Sequence, residues 1–312
     1  MRQALVSVTA VIFVALATAD SSPLPTFDSL WNYDQPAETE VKFRVLLPLA
    51  RESGNIAYLA ELMTQIARTA GLQQHFGRAH AILDSVEALL PKAGSQPRVR
   101  YLLERGRAFN SSQQQERAIP LFTEAWERAQ KAGLDGFAVD AAHMLAIATP
   151  ADQHMNWNKK ALALAQKSPD PKARKWQGSL FNNIGWDYFD QEKYDSALDM
   201  FQKALAFRQE QNQPVQIRFA KWCVAKTYRV LGRLDTALVI QQVLEKEWSE
   251  SGEKQDGYVY EELAECLLAL NRPDEATPYF AKAYTLLKED LWLSRDEPER
   301  LERLKEMGRV GQ

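Results

Sequence analysis

The sequence has 312 residues, of which 46% are hydrophobic, 10% aromatic and 25% charged, with a net charge of −3. A chain this apolar and this near neutrality is not wholesale disordered, and it lacks the basic excess that sequence-independent nucleic-acid binding needs. Two cysteines exclude a disulfide-dense scaffold.

The chain opens Met1-Arg2-Gln3, runs apolar from Ala4 to Ala17 and closes that run with Ala17-Thr18-Ala19. A short positive start, an apolar stretch too short to span a bilayer and an A-x-A end predict a secretory signal peptide over residues 1–19. Cleavage before Asp20 predicts an exported chain, periplasmic or extracellular. No membrane insertion is expected afterwards, because no second apolar run approaches span length. Residues 20–35, with Pro23 and Pro25, read as a linker. Pro36 behind a capping Asp34 predicts an N-terminal helix over 36–54, kinked at Pro48.

From residue 55 to 290 the sequence repeats. Small residues stand at Ala67, Gly106, Ala146, Gly185, Ala225 and Ala264, at steps of 39 or 40. Twelve positions after each come Ala79, Ala118, Asn158, Ala197, Ala237 and Ala276; sixteen after come Leu83, Phe122, Leu162, Phe201, Gln241 and Phe280. Only Asn158 and Gln241 break that register. Apolar positions three and four apart predict helices. Breakers such as Gly232 within units and Gly133, Pro171 and Gly252 between them predict two helices per unit. The small positions let the paired helices approach, and the larger residue at the sixteenth position fills the space beside them. Thr149-Pro150 predicts an irregular third unit. After the array, residues 291–312 read as a charged capping helix, with acids around Pro298 and basic residues later in it.

The run Asn183-Ile184-Gly185, Tyr188, Tyr194, Ala197, Phe201, Ala204 resembles a tetratricopeptide repeat (TPR) motif. The usual period is 34 residues, so this array is of a long-period kind. The resemblance implies an all-α fold, a right-handed α-solenoid of about six TPR-like helix pairs with flanking N- and C-terminal helices. It also implies that the first helix of each unit lines a concave, partner-binding groove. Carried onto this sequence, the groove positions of the first three units include Glu61, Gln65, Arg68, Arg100, Glu104, Arg107, Asp140 and His143. The fourth unit presents Asn182, Asn183, Trp186 and Phe189, and the fifth Phe219, Trp222, Lys226 and Arg229. The sixth presents Tyr258, Glu261, Glu262 and Glu265. Asn183 is similar in place to the peptide-holding Asn of several TPR receptors. Aromatics and Arg dominate interface energies, an amide pairs with both donor and acceptor of a peptide backbone, and Lys226 and Arg229 are suited to a carboxylate. The fourth and fifth units are therefore the expected peptide-binding site.

No phosphate loop, dinucleotide fingerprint, H-E-x-x-H or G-x-S-x-G occurs. His75 and His80 lie without a neighbouring Cys, so no metal site is expected. Cys223 and Cys266 sit one helical turn out of step in successive units and read as buried small hydrophobes rather than a disulfide. Glu261 and Glu265 share a helix face and read as solvated or partner-facing. The sequence thus reads as an exported, non-enzymatic scaffold for a protein or peptide partner, without cofactor. Two other readings stay open at this point. One is a superhelix with a small-ligand or enzyme site in its aromatic pocket. The other is an intracellular peptide-sensing regulator that retains its first 19 residues.

Overall fold

The computed structural model describes residues 24–311, so the predicted signal peptide lies outside the described residues. Six helix pairs follow one another: α3 (Ile56–Leu72) with α4 (Phe76–Glu87), α6 (Ser95–Ser111) with α7 (Gln115–Lys131), and α8 (Asp135–Ala148) with α9 (Ala151–Lys167). Then come α11 (Gln177–Phe189) with α12 (Tyr194–Glu210), α13 (Pro214–Val230) with α14 (Leu234–Ser251), and α15 (Gly257–Ala269) with α16 (Pro273–Leu287). Single turns α5 (Leu90–Ala93) and α10 (Pro171–Arg174) join some of the pairs. This is the all-α, TPR-like solenoid that the repeat implies, and among the described residues there is no strand.

The small positions do what the register demands of them. A Cβ added at Gly106 would stand 2.5 Å from the Phe122 ring, and one added at Gly185 would stand 2.5 Å from the Phe201 ring. Both phenylalanines are fully buried, so the second and fourth units are each locked by an aromatic ring lying on bare backbone. The two exceptions to the register behave differently from each other. Asn158 donates to Asp187 at 3.0 Å, whereas Gln241 is fully buried and both polar atoms of its side chain lack a protein partner.

The turn inside each pair also repeats. Gln74, Gln113, Glu192, Gly232 and Asn271 all adopt positive φ, each seven residues after the small position of its unit. Behind each, the next amide reaches back across the turn at 2.9 Å, as in His75 to Ala70 and Lys193 to Tyr188. This is the left-handed helix stop, in which two amides donate to otherwise unpaired carbonyls of the last turn. The third unit lacks it: Thr149 is extended and α9 begins directly after Pro150. There the buried residue is Ala161, one position before the half-buried Leu162.

The flanks depart from the sequence reading. The expected helix over 36–54 is two helices, α1 (Pro36–Val45) and α2 (Leu47–Glu52), with Gln35 rather than Asp34 as the cap. Pro48 explains the break: it cannot donate to the preceding turn. The described part of the expected linker is packed. Phe27 is buried against Phe43 and Tyr58, and Trp31 lies edge-on to Phe43 at 5.3 Å. At the other end, the expected single cap is α17 (Leu291–Asp296) followed by α18 (Pro298–Met307), which packs on α16.

Candidate functional site

The groove positions meet one another from helix to helix, and the chemistry of these meetings changes along the stack. Between α3 and α6, Glu61 accepts from Gln96 at 2.5 Å and pairs with Arg100. Between α6 and α8, Arg107 bridges Glu104 at 2.7 Å and Asp140. Over these helices lies the chain's own N-terminal segment: Trp31 donates to Gln65 at 2.7 Å and stacks on Tyr33 at 4.6 Å. The charged half of the groove is thereby both paired and covered.

Between α8 and α11 the contact is neutral. The Asn183 amide meets His143 Nδ1 at 3.2 Å. Burial holds the His143 imidazole below its ordinary pKa, with Asp140 opposing and Arg107 adding to the effect. A neutral ring nitrogen accepts that amide proton. One donor and the carbonyl of Asn183 remain for another partner.

Between α11 and α13 no ion pair forms among the described residues. Trp186 and Trp222 face each other with centroids 6.0 Å apart, and Asn182 accepts only a weak thiol hydrogen bond from Cys223. Phe189 lies edge-on to Trp186 at 5.2 Å, supporting it from below. Phe219 is 49% exposed, unusual for a residue of its size. Trp186, Phe219 and Trp222 form a wall shared by two open cavities. One, of about 480 Å³, contains His143, Ser179, Asn182, Asn183 and Arg208. The other, of about 650 Å³, contains Asp190, Lys226, Asp256, Tyr258, Trp292 and Arg300.

Between α13 and α15 the groove is charged again. Lys226 reaches Glu262 at 2.8 Å, and Arg229 holds the same carboxylate with two donors at 2.7 and 3.0 Å. Burial pushes the Glu262 carboxyl up, but the two cations outweigh it and hold it below the usual range. Lys226 and Arg229, expected to meet a partner's carboxylate, are therefore committed to one inside the protein. Glu261 and Glu265 are not free either: Arg300 forks onto Glu261 at 2.7 and 2.6 Å, and Arg303 pairs with Glu265.

Of the eight expected site residues, Asn182, Asn183, Trp186, Phe219 and Trp222 line the cavities, and Lys226 lines one from inside its ion pair. Phe189 and Arg229 stand behind them. Sequence reasoning missed Arg208, Trp292 and Arg300. Arg300 was detectable in principle: it follows Glu261 by 39 residues, the repeat step, so α18 serves as the first helix of an unfinished seventh unit. Arg208 carries no such signal. It comes from a second helix and reaches Ser179 at 2.8 Å over Gly178, where a Cβ would stand 2.5 Å from its guanidinium.

Cys223 and Cys266 are free and buried, and burial pushes both thiols up to about 12. Among the described residues, no group of three or more His, Cys, Asp or Glu is placed to hold a metal ion, and no helix is long and apolar enough to cross a membrane.

The family model for the tetratricopeptide repeat matches residues 178–210, the span of α11 and α12. Among solved structures, the apo form of RapI is 12% identical over 89% of this chain and 77% of its own, with a TM-score of 0.68. Aspartyl phosphate phosphatase F from Bacillus subtilis is 14% identical over 90% of this chain and 84% of its own, with a TM-score of 0.57. A Rap protein complexed with competence and sporulation factor is 16% identical over 88% and 87%, with a TM-score of 0.51. At these identities the likeness is one of fold. A search of the curated proteins finds no match to the sequence. The repeat match, the helix pairs and these neighbours together make the chain a TPR-like solenoid.

Proposed function

We propose that this chain is an exported, non-enzymatic scaffold that binds an extended segment of a protein or peptide partner on the open junction of α11 and α13. The observation that carries the reading is the contrast along one face. Between α3 and α6, α6 and α8, and α13 and α15, facing helices satisfy each other through paired charges, whereas at this junction two tryptophans, an exposed phenylalanine and two incompletely bonded asparagines are left toward open space. Aromatic anchors beside amides that can pair with a backbone suit a peptide. A fold neighbour complexed with competence and sporulation factor adds a precedent for ligand binding on such a stack. Binding is favoured over catalysis because the two thiols are held protonated by burial and the nearby His143 is engaged by Asn183. Export rests on residues 1–19 alone, and mass spectrometry of the exported pool should find Asp20 as the first residue.

The binding reading is tested by screening the purified chain against a library of random decapeptides and measuring the selected peptides by calorimetry. Asn183→Ala should cost about 1–3 kcal/mol of affinity if its amide is desolvated in the complex. Selected peptides that bind the variant as tightly as the parent would place the surface elsewhere.

A further inference from the structure

The two cavities flanking the tryptophan wall carry opposite, uncompensated charge. The cations lining the larger cavity, Lys226 and Arg300, are compensated: Lys226 shares Glu262 with Arg229 behind the wall, and Arg300 pairs with Glu261 and the lining Glu297. Asp190 and Asp256 stand outside that set. Burial pushes both carboxyls up, and no cation acts to lower either; Asp187 pushes Asp190 further and the Tyr258 amide alone opposes at Asp256. Asp256, which lines the cavity, uses one oxygen to cap α15 through the Tyr258 amide, and its other oxygen has no hydrogen-bond partner among the described residues. Aromatic faces are already used by cations here, with Lys226 5.2 Å from the Trp222 centroid and Arg300 5.5 Å from that of Tyr258.

The smaller cavity has the reverse balance. Arg208 bonds Gln213 at 2.6 Å and Ser179 at 2.8 Å, both neutral, and burial alone lowers its pKa with no carboxylate opposing. The bare backbone of Gly178 lets this second-helix guanidinium reach the groove. An unpaired, partly desolvated charge is relieved by an opposite charge from a ligand.

We propose that the surface reads the charge order of its partner: an acidic side chain beside Arg208, an apolar residue over Trp186 and Trp222, and a basic side chain between Asp190 and Asp256. This rests on the peptide-binding reading above and adds a direction to it. The cavities share one wall, so the three residues lie within a few positions of each other in an extended segment, which advances about 3.3 Å per residue.

The test uses N-acetylated, C-amidated decapeptides, in which termini carry no charge. Peptides selected by the full chain should hold an Asp or Glu and an Arg or Lys on opposite sides of an apolar residue. Exchanging those two charges should weaken binding at least about tenfold, the scale of a charge-assisted hydrogen bond. The double variant Asp190→Asn, Asp256→Asn keeps the α15 cap, since Asn caps as well as Asp. It should make binding indifferent to replacing the basic residue by citrulline or norleucine while the acidic residue still matters. Arg208→Gln should do the converse. If affinity in the parent is blind to charge order yet is lost in Trp222→Ala, the charge inference fails and the binding reading stands. If no blocked peptide is selected, or none depends on Trp222, both fail.

Discussion

Two neighbouring junctions of this stack are built from the same repeat and end in opposite states. Between α13 and α15, groove positions carry Lys226, Arg229 and Glu262, which satisfy each other so completely that Glu262 is 1% exposed. Between α11 and α13, the positions equivalent to Lys226, Arg229 and Glu262 carry Trp186, Phe189 and Cys223, and Trp186 meets Trp222 through a ring contact that leaves cavities on both sides. The difference teaches that residue type at a groove position does not mark a binding residue by itself. A charge facing an opposite charge one repeat away belongs to the scaffold, because separating them would leave a buried ion unpaired. A tryptophan facing a tryptophan satisfies its neighbour only in part, since ring faces and amides keep capacity for a ligand. The first three units extend the rule, with Arg107 on Glu104 and Asp140 and the N-terminal Trp31 and Tyr33 laid over them.

The largest test of that contrast removes the shared carboxylate. Glu262→Ala strips two largely buried cations of their partner and should cost about 3–5 kcal/mol of stability. The same site sets an acid limb. Its folded pKa lies below the unfolded value of about 4.3, so its contribution is complete above that pH and is lost as pH falls through the folded value. Hydrogen exchange during acidification should open the α13–α15 contact while the uncharged α11–α13 contact holds. Simultaneous opening would erase the distinction between the two junctions.

A smaller effect probes the core beneath both. Gly185→Leu pushes a side chain into the Phe201 ring and should cost about 1–3 kcal/mol by overpacking. Because repeats couple to nearest neighbours, exchange should rise in α11–α14 and leave α3–α6 unchanged. The smallest expected effect is a gain. Glu192 holds φ at 58° at the left-handed stop where the fifth unit has Gly232. Glu192→Gly should add about 0.5–1 kcal/mol, the left-handed penalty less the entropy of glycine, read as a raised denaturation midpoint.

The fold was legible because it is periodic. One register of small residues and the residue sixteen positions on located every helix pair, and the ring-on-glycine contacts at Gly106 and Gly185 are its physical cause. The third unit was legible as a break at Pro150, though not the one-residue shift from Leu162 to Ala161, which depends on how α9 rolls without a left-handed stop. Of the site, the aromatic wall was legible from groove positions. The fate of Lys226 and Arg229 was not, because pairing with Glu262 lies 36 and 33 residues away and depends on which turn of α15 stands opposite. Nor was the packing of residues 24–35, where Pro25 and the neighbouring Pro23 suggest a linker while Phe27 and Trp31 find apolar cover only in the folded stack.

The central claim is that binding capacity sits at the open tryptophan junction and not on the paired charges. The most direct measurement compares two single variants for affinity toward one selected peptide, with circular dichroism confirming the helical fold of each. Trp222→Ala should cost about 2 kcal/mol or more, the scale of a hot spot, and Arg68→Ala, in the covered half of the groove, should leave affinity unchanged. Loss of binding in Arg68→Ala with Trp222→Ala unaffected would contradict the account and move the partner to the charged half.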